Sequence, residues 1–304
     1  DHSRRMFQYI SVNMNQAADV GRARAWSGDY PQGMDDAHED PVDYASAHDL
    51  DATLIERARD VVDGADRVVV LTGAGISTDS GIPDFRGPNG LWTKNPAAEK
   101  ASNIDHYVSD PEVRRSNWRL RAEGALWANV EPNLGHHALV ALQHRDILHT
   151  LITQNVDELH QRAGIEADRV VEIHGTTRKA ACLECEYRDD MEIVLDRVRA
   201  GEDDPHCTFC GGILKSATIS FGQNLVYEDL QRAQEAAHAC DLLLAVGSTL
   251  SVYPIAQVVP MAAASGAQVV IVNGEPTPFD GLAEVVLNAS ISDVLPRICR
   301  YDEV

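Results

Sequence analysis

The 304-residue sequence predicts an α/β fold: a parallel sheet with helices on both faces, joined to a smaller lobe. Three observations predict it. Short apolar runs rich in Val, Ile and Leu recur, each closed by turn residues: RVVVLTG (67–73), LHTLITQN (148–155), RVVEIHG (169–175), ATISFG (217–222), DLLLAVG (241–247) and QVVIVNG (268–274). Segments of helical period, such as HHALVALQHR and YEDLQRAQEAAHAC, lie between several of them, and buried runs alternating with helices indicate a parallel sheet covered on both sides. Two C-x-x-C pairs, Cys182/Cys185 and Cys207/Cys210, interrupt the alternation and mark the smaller lobe.

In chain order, residues 1–48 show no sustained period. They hold the acid-, Gly- and Pro-rich stretch GDYPQGMDDAHEDPVDY, which reads as a flexible acidic tail dispensable for turnover. Residues 49–304 read as the functional domain. In LDATLIERARDVVDGA the apolar residues fall at helical spacing up to Gly64, giving the first helix. The strand RVVVLTG follows, then a helical insertion at about 88–130 and a cysteine module at about 176–215.

Lys plus Arg number 26 and Asp plus Glu 47, a formal net charge of −21. A surface that acidic repels phosphate backbones, so neither nucleic acid nor an anionic membrane is the expected partner. No apolar stretch approaches the roughly 18 residues a membrane span needs. The opening DHSRRMFQYISVNMNQ has no continuous apolar core of signal-peptide length. A soluble, cytoplasmic protein is the expectation.

Cys182-x-x-Cys185, a gap of 21 residues and Cys207-x-x-Cys210 fit a tetrahedral four-thiolate zinc site, one ion per chain. Four protein ligands leave no open position, so the metal's role is structural and zinc-activated hydrolysis is disfavoured. Cys240 and Cys299 read as small buried residues.

In a sheet of this kind ligands bind beyond the carboxyl ends of the strands. Here those ends carry GAGIS, QNVDELH, His174-Gly175, FGQN, GSTLS and NGE, which points to one shared cleft. Gly73, Ala74 and Gly75 sit where the first strand gives way to a helix, a place suited to a pyrophosphate. Thr78 occupies the third glycine position of the dehydrogenase fingerprint, and no ribose-binding acid on a second strand follows about 20 residues on. The segment therefore reads as a dinucleotide site that does not perform hydride transfer.

The motifs GAGIS (73–77), GIPDFRG (81–87), TQNVD (153–157), HG (174–175), FGQ (221–223), GST (247–249) and NGE (273–275) occur in this order, with the cysteine pairs between HG and FGQ. Together they resemble the sirtuins, NAD-dependent protein lysine deacylases, over about Leu50 to the C-terminus. The resemblance implies a sirtuin catalytic domain with a Rossmann-like large lobe, NAD as co-substrate and acyl-lysine proteins as partners. Nicotinamide, free lysine and acyl-ADP-ribose, most simply the acetyl form, would be the products.

By the same resemblance, Asp84, Phe85 and Arg86 line the nicotinamide pocket, and the Phe85 ring shields the reactive sugar face. Gln154, Asn155 and Asp157 orient ribose hydroxyls, a water and the nicotinamide amide, though Asn and Asp at such a place also serve as helix caps. His174 becomes the base that activates a ribose hydroxyl toward the alkylimidate intermediate, imidazole being suited to proton removal near neutral pH. Position selects His174 over His136, His137 and His160. Ser77, Gly247, Ser248, Thr249, Asn273, Gly274 and Glu275 fall to the cofactor, with Ile291 near the adenine. Gly247-Ser248-Thr249 departs from the family's commoner Gly-Thr-Ser but keeps both hydroxyls. Phe221, Gly222 and Val252 are the residues expected to meet the substrate, whose backbone would add as a strand.

Sirtuins that remove succinyl or malonyl groups carry Tyr-x-x-Arg on a helix of the small lobe. The corresponding residues here are Trp118-Arg119-Leu120-Arg121. An arginine such as Arg121 can pair bidentately with a distal carboxylate, but the tyrosine hydroxyl is missing and an exposed helical arginine is the commoner reading. Two other functions share the motifs: ADP-ribosyl transfer or NAD hydrolysis through the same bond cleavage, and a non-catalytic NAD-binding regulatory module.

Overall fold

A computed structural model describes residues 52–84, 90–94, 102–124 and 130–301. The acidic tail 1–48, Phe85 and Arg86 lie outside the described residues.

The core is built on β1 (Val68–Thr72), a VVVLT run buried along its whole length. Its β-branched residues suit a strand covered on both faces. β1 pairs in parallel with β2 (Leu148–Thr153) on one side and β7 (Leu242–Val246) on the other. β3 (Val170–Glu172), β8 (Gln268–Val272) and β9 (Val285–Leu287) complete a six-stranded parallel sheet in the order β3-β2-β1-β7-β8-β9. Alternation along the strands sorts side chains into two cores. Val68, Val70, Leu242, Leu244, Val270 and Val272 join α1 (Ala52–Asp63), α5 (Leu134–His144) and α10 (Ile291–Cys299) on one face. Val69, Leu71, Leu243, Ala245, Val269 and Ile271 join α8 (Tyr227–Ala239) and α9 (Val258–Ala264) on the other. The strand order reverses between β1 and β7, the place at whose carboxyl ends ligands bind in sheets of this kind.

One expected strand of this sheet is misplaced. The run 217–222 does not enter the parallel sheet. Leu214–Thr218 forms β6 of a separate antiparallel sheet, ordered β5-β4-β6 with β4 (Gly175–Cys182) and β5 (Arg188–Asp190). The sixth parallel strand is β9, whose three residues give too short a run to stand out. A short apolar run carries no information about the direction of its partner.

The small sheet packs with α7 (Met191–Arg199), and Trp118 of α4 (Pro111–Ala122) fills the cluster of Ala180, Met191, Val194, Leu195, Cys207 and Leu214. α3 (Ile104–Ser109) precedes α4, and α2 is the single turn Leu91–Lys94. Arg114 of α4 forms a buried pair with Asp204, its Nε and Nη2 reaching both carboxylate oxygens at 2.8–3.1 Å. Its Nη1 donates to the carbonyls of Tyr107 and Val108. Ion pairing and backbone contacts thus hold the two helices to the cysteine-bearing segment. β6 returns to the large sheet through Ile219, whose N–H donates to the His174 carbonyl at 2.8 Å.

Candidate active site

Five of the six parallel strands carry polar or glycine residues at their carboxyl ends. β1 runs into Gly73–Ser77, β2 into Gln154–Asp157, β3 into His174, β7 into Gly247–Thr249 and β8 into Asn273–Glu275.

Gly73 and Gly75 have a structural reason of their own, beside the expected approach to a pyrophosphate. A Cβ on Gly73 would lie 2.7 Å from the Gly247 carbonyl oxygen, and one on Gly75 2.8 Å from the Gly247 Cα. Gly247 stands at φ 60° and would drive its own Cβ to 2.5 Å from the Ile76 nitrogen. The β1 and β7 loops are therefore in backbone contact across the reversal point, which glycine alone permits. The helix that follows, Ala74–Ser80, is a short 3-10 helix ending at Gly81.

Beneath the glycine loop lies a buried polar network. Asn155 and Asp157 are each 6% exposed and Ser77 is 1% exposed. The Ser77 hydroxyl donates to Asp157 Oδ2 at 2.8 Å and accepts from Asn155 Nδ2 at 3.1 Å. Asn155 Nδ2 also donates to the Gly73 carbonyl at 3.1 Å. Asp157 Oδ1 accepts from the Leu159 N–H at 3.0 Å, so this carboxylate takes the first free N–H of α6 (Leu159–Ala163) while its second oxygen faces Ser77. Burial raises the Asp157 pKa, and the Leu159 N–H and Ser77 hydroxyl oppose that shift. Gln154 Nε2 donates to Ser248 Oγ at 2.9 Å and joins the β2 and β7 ends.

The half-buried His174 places Nδ1 3.0 Å from the Gln154 carbonyl oxygen. A carbonyl only accepts, so Nδ1 carries the proton in the neutral ring and Nε2 is the basic nitrogen. The strand end thus sets the tautomer a general base requires.

The remaining expected residues have local surroundings of their own. Thr249 is exposed and bonds Ser251. Asn273 is buried and donates from Nδ2 to the Glu275 carbonyl at 2.7 Å, while Gly274 and Glu275 are exposed. Ile291 opens α10, buried, and a Cβ on Gly135 of α5 would meet its Cγ2 at 3.1 Å. Asp84 is half-buried at the end of the described segment. Phe221 bridges Asn103, with its N–H donating to the Ser102 carbonyl and its carbonyl accepting from Ile104 N–H. Gly222 turns the chain at φ 87°, and Val252 is half-buried beside the Ser251–Tyr253 loop.

Arg121 corrects one expectation. It is part-buried, not exposed: Nε donates to Asn117 Oδ1 and Nη2 to Ser216 Oγ, each at 3.0 Å. Trp118 is 1% exposed in the small-lobe core. Lys215 lies near it, burial and the Arg121 charge lowering its pKa to about 7.

The cysteine sulfurs all lie within 4.8 Å of one another, with Cys182–Cys210 at 3.5 Å and Cys185–Cys207 at 3.7 Å. Tetrahedral zinc with Zn–S bonds near 2.3 Å separates its sulfurs by about 3.8 Å. The Glu184 and Gly212 N–H groups donate to Cys182 and Cys210 sulfur at 3.3 Å. These residues fit a structural zinc ion.

Sequence reasoning passed over the histidines behind the network. His136 Nε2 lies 3.4 Å from Ser77 Oγ, and His160 Nε2 2.9 Å from Thr72 Oγ1. The available signal was Asn133 three residues before His136, an unusual pairing for a capping box.

The Sir2 family model matches residues 73–254. The chain belongs to the Sir2 family. Among this sirtuin's relatives, the NAD-dependent protein deacetylase 2 of Streptomyces coelicolor is 47% identical over 237 residues, covering 78% of this chain and 98% of the relative. The NAD-dependent protein deacetylase 1 of Bradyrhizobium diazoefficiens is 41% identical over 242 residues, covering 79% and 93%. A solved Sir2 enzyme with a p53 peptide and NAD+ superposes with TM-score 0.70 at 35% identity, covering 80% of this chain and 96% of its own. Another, with deacetylated p53 peptide and 3′-O-acetyl-ADP-ribose, gives TM-score 0.72 at 34% identity and 81% and 97% coverage.

Proposed function

We propose that this sirtuin is an NAD-dependent protein lysine deacetylase whose chemistry takes place in the crevice between β1 and β7. The observation that carries this is the convergence of Ser77, Asn155 and Asp157 with a histidine whose tautomer is fixed for base catalysis. Neutral amides and hydroxyls with one carboxylate are a donor and acceptor set suited to ribose hydroxyls and a carboxamide. NAD supplies an activated carbon–nitrogen bond to the ribose. Asn155 and Asp157 would orient that ribose, Asp157 supplying negative charge where cationic character develops, and His174 Nε2 would accept the proton of a ribose hydroxyl. By family resemblance Asp84 would shelter the leaving pyridine together with Phe85 and Arg86, which lie outside the described residues. Ser248, Thr249, Asn273, Gly274, Glu275 and Ile291 hold the adenosine half, and Phe221, Gly222 and Val252 seat the acyl-lysine segment.

Acetyl is the favoured acyl group. Trp118 brings no hydroxyl to the cleft and the Arg121 guanidinium is engaged by Asn117 and Ser216. Cys182, Cys185, Cys207 and Cys210 would hold zinc as a clip for the small lobe. We assign the work to the cytoplasm, because a reducing compartment keeps four thiolates available for metal. Among the described residues no helix is long and apolar enough to cross a membrane.

Mass spectrometry of products from NAD with acetyl-, succinyl- and long-chain acyl-lysine peptides tests the reading. Acetyl-ADP-ribose, nicotinamide and free lysine are expected, with the rate falling by roughly 10² or more in His174→Ala. ADP-ribosylated protein, or free ADP-ribose formed without any acyl peptide, would instead establish transferase or hydrolase activity.

A further inference from the structure

The buried network does not end at Ser77. α5 begins with a reciprocal cap: Asn133 Oδ1 accepts from the N–H groups of Gly135 and His136 at 2.9 and 3.3 Å, and Asn133 N–H donates to His136 Nδ1 at 3.3 Å. Asn133 Nδ2 also donates to the Ile76 carbonyl at 2.8 Å and to Ser80 Oγ at 3.0 Å, clamping the cap onto the 3-10 helix that carries Ser77. Because His136 Nδ1 accepts, the neutral ring carries its proton on Nε2. That Nε2–H faces Ser77 Oγ at 3.4 Å. Ser77 Oγ then receives from both His136 and Asn155, and its single proton is committed to Asp157 Oδ2. With the opposite tautomer, Ser77 could donate to the imidazole and leave Asp157 without its hydroxyl partner.

We infer that the Asn133–His136 cap is a positioning device for the NAD site, which locks the direction of the Ser77–Asp157 hydrogen bond and thereby the carboxylate that orients the ribose. This rests on the function proposed above. His136 touches no reacting atom; it acts through Ser77. Its ring is fully buried, tilted 53° against the His160 ring at a centroid distance of 5.0 Å. Burial holds His136 near pKa 3 and lowers His160 far below its usual value, so both rings stay neutral through the physiological range. Thr72 accepts from His160 Nε2 and donates to Thr153, whose hydroxyl accepts the Asn155 N–H. The charged groups facing Asp157 are Arg178 of β4, which lowers its pKa, and Glu172 of β3, which Asp157 itself pushes up; Glu158, the next residue, acts on Glu172 as well.

Steady-state kinetics of wild type, His136→Phe and His136→Gln test the proposal, with NAD affinity measured directly by calorimetry. Wild type must first bind NAD and deacetylate an acetyl-lysine peptide; failure there defeats the functional reading itself, whatever the variants do. With that in hand, His136→Phe should raise KM and Kd for NAD by roughly tenfold with little change in KM for the peptide. The acid limb of kcat/KM for NAD should move to higher pH, because a Ser77 hydroxyl no longer held and polarised by the His136 Nε2–H donates less firmly to Asp157 and opposes its desolvation less. His136→Gln places an amide N–H near the Nε2 position and should restore NAD affinity to within about threefold of wild type. A purely structural histidine would lower stability without moving the acid limb. An unchanged NAD Kd in a folded His136→Phe, or equal losses for NAD and peptide in both variants, would overturn the proposal.

Discussion

Glu172 shows how one side chain ties the edge of the sheet to pH. Burial and the nearby Glu158 charge raise its carboxyl to about 7, and its Oε1 has no hydrogen-bond partner. A carboxyl that holds its proton more tightly when folded stabilises fully below its unfolded pKa, 4.5, and loses that contribution as pH rises through about 7. Glu172→Gln carries no charge to bury. Melting temperatures measured from pH 4 to 9 should converge at the acid end, with the variant the more stable near pH 8. Parallel curves would show that Glu172 titrates normally. His136 was hard to read for a related reason: its importance lies in which nitrogen accepts, and that depends on Asn133 and Ser77 being brought together by folding.

The elements divide into those whose cause is local and those whose cause is not. β1, β2, β7 and β8 were legible because each is a continuous β-branched or leucine-rich run bounded by turn residues. α1, α5 and α8 were legible from their helical period. Leu214–Thr218 was not, since its antiparallel partner β4 lies more than 30 residues away in sequence, on the other side of both cysteine pairs. The Arg114–Asp204 pair joins residues 90 apart and left no local trace. The same dependence makes the small lobe sensitive to metal. Stripping zinc with a strong chelator should accelerate hydrogen exchange of Ala180–Cys182 and Leu214–Ser216 by roughly two orders of magnitude, while β1 and β7 keep their protection. Uniform loss across both sheets would mean the lobes share one cooperative unit.

At the scale of the whole chain, the site follows from topology. The order of the parallel sheet reverses between β1 and β7, and Gly73, Gly75 and Gly247 let the two loops meet backbone to backbone there. Motifs scattered from residue 73 to 275 were read as one cleft on the same topological ground, that ligands bind beyond the strand ends at such a reversal. The central claim is that this cleft places His174 Nε2 against a ribose hydroxyl of NAD while Asn155 and Asp157 hold the sugar. A crystal structure with NAD and an acetyl-lysine peptide tests it most directly. Nε2 should lie within about 3.2 Å of a ribose hydroxyl oxygen, with the nicotinamide on the Asn155 side. A ribose bound elsewhere, or His174 turned from the sugar with Nδ1 released from Gln154, would contradict it.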